Sequence, residues 1–341
     1  MNSVVCEDVL TFAKSFDLSD RMEKTTFLIT GATGLIGSSL IRCLLALDRQ
    51  VNIVAPVRNL KKVESLFDES QIAKIHFIEC DITQYDYEQL GQIDYIVHCA
   101  APTSSKFFVE HPVETFEIIV DGTKTMLQLA RKKQVKGMVY LSSLEVYGET
   151  LDDSVLVDER FQGYLDPVSV RSSYPMAKRA TENLCSLYAA EYGVPVKVAR
   201  LTQTTGAGIA KDDNRIIAQF ARLAAQGNDI VLHSTGESAR PYCYVTDAIS
   251  ALLYILLKGN KGECYNVANE STYISAKGMA EFVRENVNTN IQVKVEIDEN
   301  QGYAPPTKLK LDATKLRNLG WQPKYGLKEI FDRLVEYLKT A

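Results

Sequence analysis

The chain has 341 residues and a formal net charge of −5, from 38 Lys and Arg against 43 Asp and Glu. Its apolar fraction of 46% is ordinary for a globular protein, and its length suits two packed lobes. The negative charge gives no electrostatic case for nucleic acid or an anionic membrane as a partner. Since no apolar run approaches the ~20 residues that span a bilayer, we also expect no membrane segment.

The seven cysteines are scattered and form no C-x-x-C pair, which is typical of reduced thiols in a cytosolic protein. The four histidines do not cluster with them, so we expect no metal site. The N-terminus lacks the basic start, apolar stretch and small-residue cleavage site of a secretory signal. These features together predict a cytoplasmic location.

Residues 1–24 are predicted to form an amphipathic helical extension. One side of this helix carries its apolar residues, which are Val5, Val9, Phe12, Ala13 and Phe16. Such a segment either packs over the body of the protein or binds a partner.

From residue 25 onward, apolar strands alternate with helices. Strands are predicted at 25–30, 51–57, 75–79, 95–99, 138–142 and 196–201. Helices are predicted at 35–47, 112–132 and 174–192. Near-continuous apolar strands separated by helices are typical of a parallel sheet covered on both faces.

We therefore predict an α/β fold with a Rossmann-type doubly wound parallel sheet. The dinucleotide-binding domain is assigned to residues 25–200, with 233–262 returning to it. Residues 201–341 have shorter elements and more turns, and are assigned mainly to a smaller mixed α/β substrate lobe. A ligand is expected in the cleft between the two.

A glycine-rich turn follows the first strand and opens the first helix. Its glycines allow a tight turn and let a pyrophosphate approach the free N–H groups of the helix start. The turn therefore predicts dinucleotide binding, through Gly31, Thr33, Gly34, Leu35, Ile36 and Gly37.

The identity of the dinucleotide is open, because the second strand ends without the acidic residue that holds the ribose hydroxyls of NAD. Arg58 follows that strand instead. It can pair with the 2′-phosphate of NADP, stack on adenine or face solvent. Asp81 and Ile82, after the third strand, are candidates for the adenine end, although Asp81 can equally cap the next turn.

Tyr174 and Lys178 are four residues apart and share one face of a predicted helix. The ammonium group is expected to lower the tyrosine pKa from about 10, so that Tyr174 can take a proton from a substrate hydroxyl. Ser143, at the end of the fifth strand, can bind the same oxygen. This order of turn, serine, tyrosine and lysine predicts hydride transfer to or from a nicotinamide.

At this point the sequence resembles the extended short-chain dehydrogenases/reductases of the nucleotide-sugar epimerase/dehydratase group, over about residues 25–335. The segments that carry the resemblance are Thr30–Gly37, His98–Ala101, Ser142–Gly148, Tyr174–Lys178, Arg240–Asp247 and Leu319–Pro323. The segments at Pro112–Thr115, Asn214–Ile217 and Arg240 are most similar to UDP-glucuronate decarboxylases and dTDP-glucose 4,6-dehydratases.

The resemblance implies bound NAD or NADP, held also by Ala100, Ala101, Tyr174 and Lys178. It implies a nucleotide-diphosphate sugar that is oxidised transiently, usually at C4. It further implies a homodimer formed by helices 112–132 and 174–192.

The segment Ser143-Leu144-Glu145 departs from the Thr-Asp-Glu of the dehydratases. Leu144 cannot donate a proton to a leaving hydroxyl, so 4,6-dehydration is disfavoured. Glu145 is retained, which indicates chemistry beside the 4-keto group: removal of the C5 proton or loss of the C6 carboxylate. Alternatively, Glu145 is a structural carboxylate that caps a loop or orients Tyr147.

The substrate lobe offers further candidates. Gln203 replaces the asparagine that commonly contacts the sugar or its phosphate in the family. Arg215 and Arg240 suit a diphosphate because the guanidinium fork matches phosphate oxygens, although Arg215 can also be a surface charge. The loop after the fourth strand can bind cofactor or substrate, or only form a turn, through Thr103, Ser104 and Ser105.

Three functions fit these patterns. The preferred one is an NAD(P)-dependent nucleotide-sugar enzyme with an internal redox cycle, either an epimerase or a decarboxylase. A net NADPH-dependent reductase of a keto-sugar or another carbonyl is the second. The third is a non-catalytic protein that senses the dinucleotide.

Overall fold

The computed structural model describes residues 2–150, 152–297 and 307–340. Residues 1, 151, 298–306 and 341, which belong to the predicted N-terminal extension, dinucleotide domain and substrate lobe, lie outside the described residues. The strands are β1 (Thr25–Thr30), β2 (Val51–Val57), β3 (Ile75–Glu79), β4 (Tyr95–His98), β5 (Gly137–Ser143), β6 (Leu156–Val157), β7 (Val196–Leu201), β8 (Gln203–Thr205), β9 (Ile230–Leu232), β10 (Ala239–Tyr244), β11 (Cys264–Val267), β12 (Asn269–Ser275), β13 (Val293–Val295) and β14 (Lys310–Leu311).

The helices surround and connect these strands. They are α1 (Ser3–Ser15), α2 (Leu35–Ala46), α3 (Leu60–Glu64), α4 (Glu69–Ile72), α5 (Ser105–Glu110), α6 (Pro112–Lys133), α7 (Ser173–Tyr192), α8 (Ile216–Gln226), α9 (Val245–Lys258), α10 (Ala276–Asn286), α11 (Thr314–Arg317) and α12 (Leu327–Thr340). Short 3-10 turns occupy Ser19–Met22, Tyr87–Gln89, Leu144–Tyr147 and Val170–Ser172.

A seven-stranded sheet organises the molecule, in the order β3-β2-β1-β4-β5-β7-β11. All of its neighbouring strands pair in parallel. The apolar strands β1, β4 and β5 are buried on both faces, as the near-continuous hydrophobic pattern predicts. The predicted Rossmann-type α/β fold is confirmed, and the direction of winding reverses between β1 and β4, where ligands bind in such sheets.

Beyond β7 the strands are shorter. β8, β10 and β12 form a mixed three-stranded sheet, while β13 pairs with β9 and β14 with β6. The chain also returns to the large sheet through β11, which was not assigned as a strand from the sequence. This strand begins at Cys264, just after the 233–262 segment that the sequence analysis assigned to the dinucleotide-binding domain.

The N-terminal helix α1 packs on α2, α9 and α12 with its apolar side buried. Asp8 is buried among these apolar residues, where it accepts hydrogen bonds from the Tyr244 hydroxyl and, at 2.6 Å, from the Arg333 guanidinium. All seven cysteines are free thiols. Among the described helices, none combines the length and apolar character needed to cross a bilayer.

Candidate active site

The glycine turn between β1 and α2 is packed backbone against backbone. Gly31 has φ +68°, and a Cβ there would lie 2.8 Å from the amide nitrogen of Ala100. A Cβ on Gly37 would lie only 2.3 Å from the Gly31 carbonyl oxygen. Gly34 precedes α2 without a side-chain cap, so the first N–H groups of that helix face outward. The turn therefore fits a dinucleotide pyrophosphate, which needs close approach and free amide donors.

A buried polar brace fixes this turn against the end of β4. The Thr30 hydroxyl lies 2.7 Å from His98 Nδ1 and accepts a hydrogen bond from the Ala100 amide at 3.1 Å. His98 Nε2 lies 3.1 Å from the Thr123 hydroxyl on α6. Burial, assisted by the Lys178 charge, lowers the pKa of His98 to about 3, so the ring is neutral. The sequence analysis assigned His98 no role, because the brace joins residues far apart in the chain.

Arg58 and Asp81 lie at the ends of β2 and β3, where the adenosine end of a dinucleotide is expected. Asp81 accepts hydrogen bonds from the Thr83 amide at 2.8 Å and the Thr83 hydroxyl at 2.6 Å. These bonds, with a smaller contribution from the Arg58 charge, lower the Asp81 pKa. Asp81 thus caps the turn beside Ile82, as its alternative role predicts, while its carboxylate stands near Arg58.

Tyr174 and Lys178 lie on the first turns of α7, beside Ser143 at the end of β5. Lys178 Nζ donates a hydrogen bond to the Leu141 carbonyl at 2.7 Å and lies 5.6 Å from the centroid of the Tyr174 ring. The Ser143 hydroxyl is near enough to the Tyr174 phenol to lower its pKa. The structure therefore brings together the serine, tyrosine and lysine that the sequence singles out.

The electrostatics of the tyrosine differ from the sequence expectation. Burial raises the pKa of Tyr174 well above its usual value, and the charge of Glu145 acts in the same direction. Burial also lowers the pKa of Lys178 to about 8, against the opposing charge of Glu182 on the next turn of α7. In the protein alone, burial is the largest influence on the Tyr174 phenol and raises its pKa, which is opposite in direction to the lowering that the helical spacing predicts.

Glu145 lies on the 3-10 turn after β5, where its amide donates to the Ser143 hydroxyl at 3.2 Å. Burial raises the pKa of the Glu145 carboxyl, and the charges of Arg171, Arg240 and Lys178 oppose this shift. Arg171 was missed by the sequence analysis. It lies three residues before Tyr174, on the 3-10 turn that leads into α7. Its closeness to Tyr174 in the sequence was a signal, but it does not show that the side chain faces Glu145.

Leu144 and Tyr147 anchor the turn that carries Glu145. Leu144 packs in an apolar cluster with Val157 and Leu311, away from the polar groups. The Tyr147 hydroxyl donates to Asn266 and accepts from the Arg200 guanidinium at 3.1 Å. Because Arg200 and Asn266 already fix the Tyr147 hydroxyl, Glu145 is not needed to orient Tyr147.

Arg200 is itself fixed from the other side. It forms a buried ion pair with Glu182 of α7, with an N–O distance of 2.6 Å. The same α7 helix carries Tyr174 and Lys178. The ion pair therefore joins the turn bearing Glu145 to the helix bearing the tyrosine and lysine.

The predicted substrate residues differ in how far their side chains are already engaged. Arg215 binds both carboxylate oxygens of Asp213 and donates to the Thr204 carbonyl at 2.5 Å. Arg240 makes a long contact of 3.4 Å with the Thr307 hydroxyl and is half-buried. Gln203 is paired with Tyr242 across β8 and β10, two residues from Arg240. Arg240 is thus better placed than Arg215 to meet a ligand.

The loop after β4 is exposed at Thr103, Ser104 and Ser105. The Ser104 hydroxyl accepts a hydrogen bond from the Phe107 amide at 3.4 Å and so caps α5. The loop therefore connects the end of β4, at the cofactor turn, with a short helix that reaches α7. In the described ranges, no group of His, Cys, Asp or Glu side chains is arranged to hold a metal ion.

A glycine turn at the switch point of a Rossmann sheet, with a Tyr-x-x-x-Lys helix facing it, defines the short-chain dehydrogenase/reductase class. Residues 27–268 match the NAD dependent epimerase/dehydratase family. The chain belongs to this family and is an NAD- or NADP-dependent enzyme.

Named relatives of this chain align with most of its length. UDP-glucuronic acid decarboxylase 3 of Arabidopsis thaliana is 31% identical over 303 residues, which are 89% of this chain and 85% of the relative. UDP-glucuronic acid decarboxylase 1 of Xenopus tropicalis is 27% identical over 320 residues, covering 93% of this chain and 73% of the relative.

Solved structures share the fold. UDP-glucose 4-epimerase of Thermotoga maritima superposes with a TM-score of 0.78 at 24% identity, covering 92% of this chain and 99% of that one. A dTDP-glucose 4,6-dehydratase of Bacillus anthracis, solved with NAD, gives a TM-score of 0.74 at 22% identity, covering 92% and 96%.

Proposed function

We propose that this enzyme oxidises the C4 hydroxyl of a nucleotide-diphosphate hexuronic acid and removes its C6 carboxylate as carbon dioxide. The observation that carries the proposal is the half-buried Glu145 carboxyl, which lies near Tyr174 and within the electrostatic influence of Arg171 and Arg240. Two guanidinium groups beside the oxidation site suit a substrate with a carboxylate there. Leu144, in the place of the dehydratase acid, packs in an apolar cluster and supplies no proton donor.

In this proposal Tyr174 takes the proton of the C4 hydroxyl while the hydrogen on C4 leaves as hydride. The dinucleotide, bound along Gly31–Gly37, supplies the acceptor for that hydride. Ser143 binds the same C4 oxygen and keeps it beside the phenol. Lys178, held by the Leu141 carbonyl, supplies the positive charge that offsets the cost of ionising a buried phenol.

The second step breaks the C5–C6 bond of the resulting β-keto acid. Its electron pair moves into an enolate on C4 and C5, and the 4-oxygen is stabilised by hydrogen bonds from Ser143 and Tyr174. Arg171 and Arg240 orient the departing carboxylate. Glu145, which lies near Tyr174, then donates a proton to C5 and recovers one from solvent. Tyr174 returns its proton to the 4-oxygen when C4 is reduced again.

We propose NAD rather than NADP as the cofactor. The support is the position of Asp81 close to Arg58, since the carboxylate partly neutralises the arginine that a 2′-phosphate would need. The net NADPH-dependent reductase is the second candidate, and it rests on Arg58 alone. Cofactor use separates the two, because a reductase consumes added NADPH in proportion to product.

We also propose a homodimer formed through α6 and α7. Both helices expose apolar side chains to solvent: Val113 is 62% exposed, Phe116 40% and Leu187 52%. Exposed apolar groups on two adjacent helices support an isologous interface. Analytical ultracentrifugation of the purified chain tests this, and a single monomeric species at micromolar concentration would contradict it.

The experiment that tests the activity uses the purified full chain without added cofactor. UDP-, dTDP-, GDP- and CDP-sugars, each as neutral hexose and as hexuronic acid, are incubated with it and read by mass spectrometry. We expect loss of carbon dioxide from one uronic acid. Loss of water would show dehydration, an isomer of unchanged mass would show epimerisation, and no turnover of any sugar would contradict the proposal.

The Tyr174→Phe variant provides the mechanistic test in the same assay. We expect turnover to fall by about 10²- to 10⁴-fold, because the proton acceptor is removed. Tyr192→Phe is the matched control on the exposed end of the same helix and should turn over like the parent. A fully active Tyr174→Phe would remove Tyr174 from the mechanism.

A further inference from the structure

Helix α5 places an aromatic ring directly on the proposed catalytic tyrosine. The ring of Phe108 lies parallel to that of Tyr174, with centroids 4.3 Å apart and an interplanar angle of 12°. Phe108 is 3% exposed and belongs to a small apolar cluster with Ile119, Tyr174 and Ala177. One face of the tyrosine ring is therefore covered by a residue outside the Ser143, Tyr174 and Lys178 set.

Helix α5 is hydrogen-bonded to the predicted substrate loop at its start and to α7 near its end. At its start, the Ser104 hydroxyl caps α5 within the loop predicted to contact substrate. Near its end, the hydroxyl of Ser173, the residue before Tyr174, donates to the Phe108 carbonyl at 3.2 Å. Because α5 has only six residues, the loop at 103–105 lies about one helical turn from Phe108.

We propose that Phe108 is a positioning residue for the reaction: its ring fixes the Tyr174 phenol and limits the water that reaches it. The inference rests on the proposed role of Tyr174 as the proton acceptor. Occupation of the 103–105 loop by substrate would act on Tyr174 through α5, without a direct contact.

The titratable groups that face the phenol come from three elements. They are Glu145 on the 3-10 turn, Lys178 on α7 and Tyr140 on β5. The two helices on the other side, α5 and α6, present Phe108 and Ile119, which carry no charge. Burial is the largest cause of the raised Tyr174 pKa, and Phe108 supplies part of that burial. Removing its ring therefore lets the phenol ionise at lower pH.

The test is the pH profile of kcat/KM for the full-length Phe108→Leu variant with the substrate identified in the sugar panel. We expect the limb that rises with pH to move down by about 0.5 to 1 pH unit, because an ionised phenol is less disfavoured when water reaches it. Phe107→Leu is the control: its ring packs on His111 at 4.8 Å rather than on Tyr174, and its profile should match the parent's.

Two further variants keep the test decisive. Ser173→Ala removes the hydrogen bond from the Ser173 hydroxyl to the Phe108 carbonyl and leaves the Phe108 ring in place. It should move the rising limb of the pH profile in the same direction by a smaller amount. Phe108→Tyr keeps an aromatic ring and should restore the parent profile. If Phe108→Leu and Ser173→Ala lower the melting temperature but leave the rising limb of the pH profile unmoved, the ring has only a structural role and the inference is overturned. A fully active Tyr174→Phe would overturn the proposed function and this inference together.

Discussion

The turn at Gly31–Gly37 is formed by backbone packed against backbone, whereas the region around Glu145, where we propose that the sugar end of the substrate binds, is assembled from side chains on separate segments. At the turn, an added Cβ on Gly37 would overlap the Gly31 carbonyl. At the sugar end, Glu145 follows β5, Arg171 precedes α7 and Arg240 lies on β10. The first region is specified by shape and the second by charge.

This difference predicts how the two regions respond to substitution. A site defined by backbone contacts fails when any atom is added, because the surrounding main chain cannot move aside cheaply. A site defined by charge tolerates changes of shape but responds to the loss of a single ionic group. Substitutions on each side can therefore test the comparison.

The largest effect is expected for Gly37→Ala. Its Cβ would lie 2.3 Å from the Gly31 carbonyl oxygen, so the turn must open. We expect the dinucleotide to bind about 100-fold more weakly, measured by calorimetric titration with NAD. Gly91→Ala is the control, because a Cβ there meets no atom within 4 Å. Unchanged NAD affinity in Gly37→Ala would show that backbone packing does not specify this region.

A smaller effect is expected for Arg171→Gln. Loss of one charge-assisted hydrogen bond costs about 1.5–3 kcal/mol, so KM for the hexuronic acid should rise roughly 10- to 100-fold. Binding of the corresponding neutral sugar nucleotide should be unaffected. Arg160→Gln, which removes a solvent-exposed partner of Asp158, is the matched control. Equal losses for charged and neutral sugars would argue against a carboxylate at this position.

The smallest effect concerns the side of the molecule away from the cleft. Burial raises the pKa of Asp8 from its ordinary 3.8 to about 6, so the folded state holds this proton more tightly than the unfolded chain. Asp8 thus contributes stability that is fully present below about pH 4 and is lost as the pH rises through about 6. Of this contribution, on the order of 1 kcal/mol is lost between about pH 5 and pH 7.

The Asp8→Asn variant isolates that contribution. Its melting temperature should fall less than the parent's between about pH 5 and pH 7. Asp247, whose pKa burial also raises to about 6, remains in both proteins, and only the minor contribution of the Asp8 charge to its shift is lost in the variant. Asp20→Asn, at an exposed ion pair with Arg49, is the control. Parallel pH curves for Asp8→Asn and the parent would contradict the prediction.

Much of the fold could be predicted from local sequence pattern. The strands from β1 to β5 and β7 are rich in apolar residues, and the turn before α2 has a glycine spacing with a direct steric reason. β11 was missed because Cys264–Val267 is short and its place in the sheet depends on pairing with β7, which the sequence does not display. The brace of Thr30 and His98 was missed for the same reason.

The candidate site divides in the same way. Tyr174 and Lys178 lie one turn apart on the same helix, so helical spacing predicts that they are close. Ser143 ends a strand, and its place in the order of motifs predicts that it joins them. Arg171 and Phe108 were not predicted, because nothing in their local sequence says which side chain they will face. The pKa of Tyr174 was predicted in the wrong direction, since the helical spacing shows Lys178 but not the burial around the phenol.

By itself, then, the sequence determined a parallel α/β sheet, a dinucleotide turn and the placement of Tyr174 and Lys178 on one face of a helix. These follow from hydrophobic periodicity and from backbone geometry, which act over a few residues. Only the tertiary structure decided the protonation of that pair, the arginines around Glu145 and the ring stacked on Tyr174. Desolvation and charge act through space, and the distances that govern them exist only once the chain has folded.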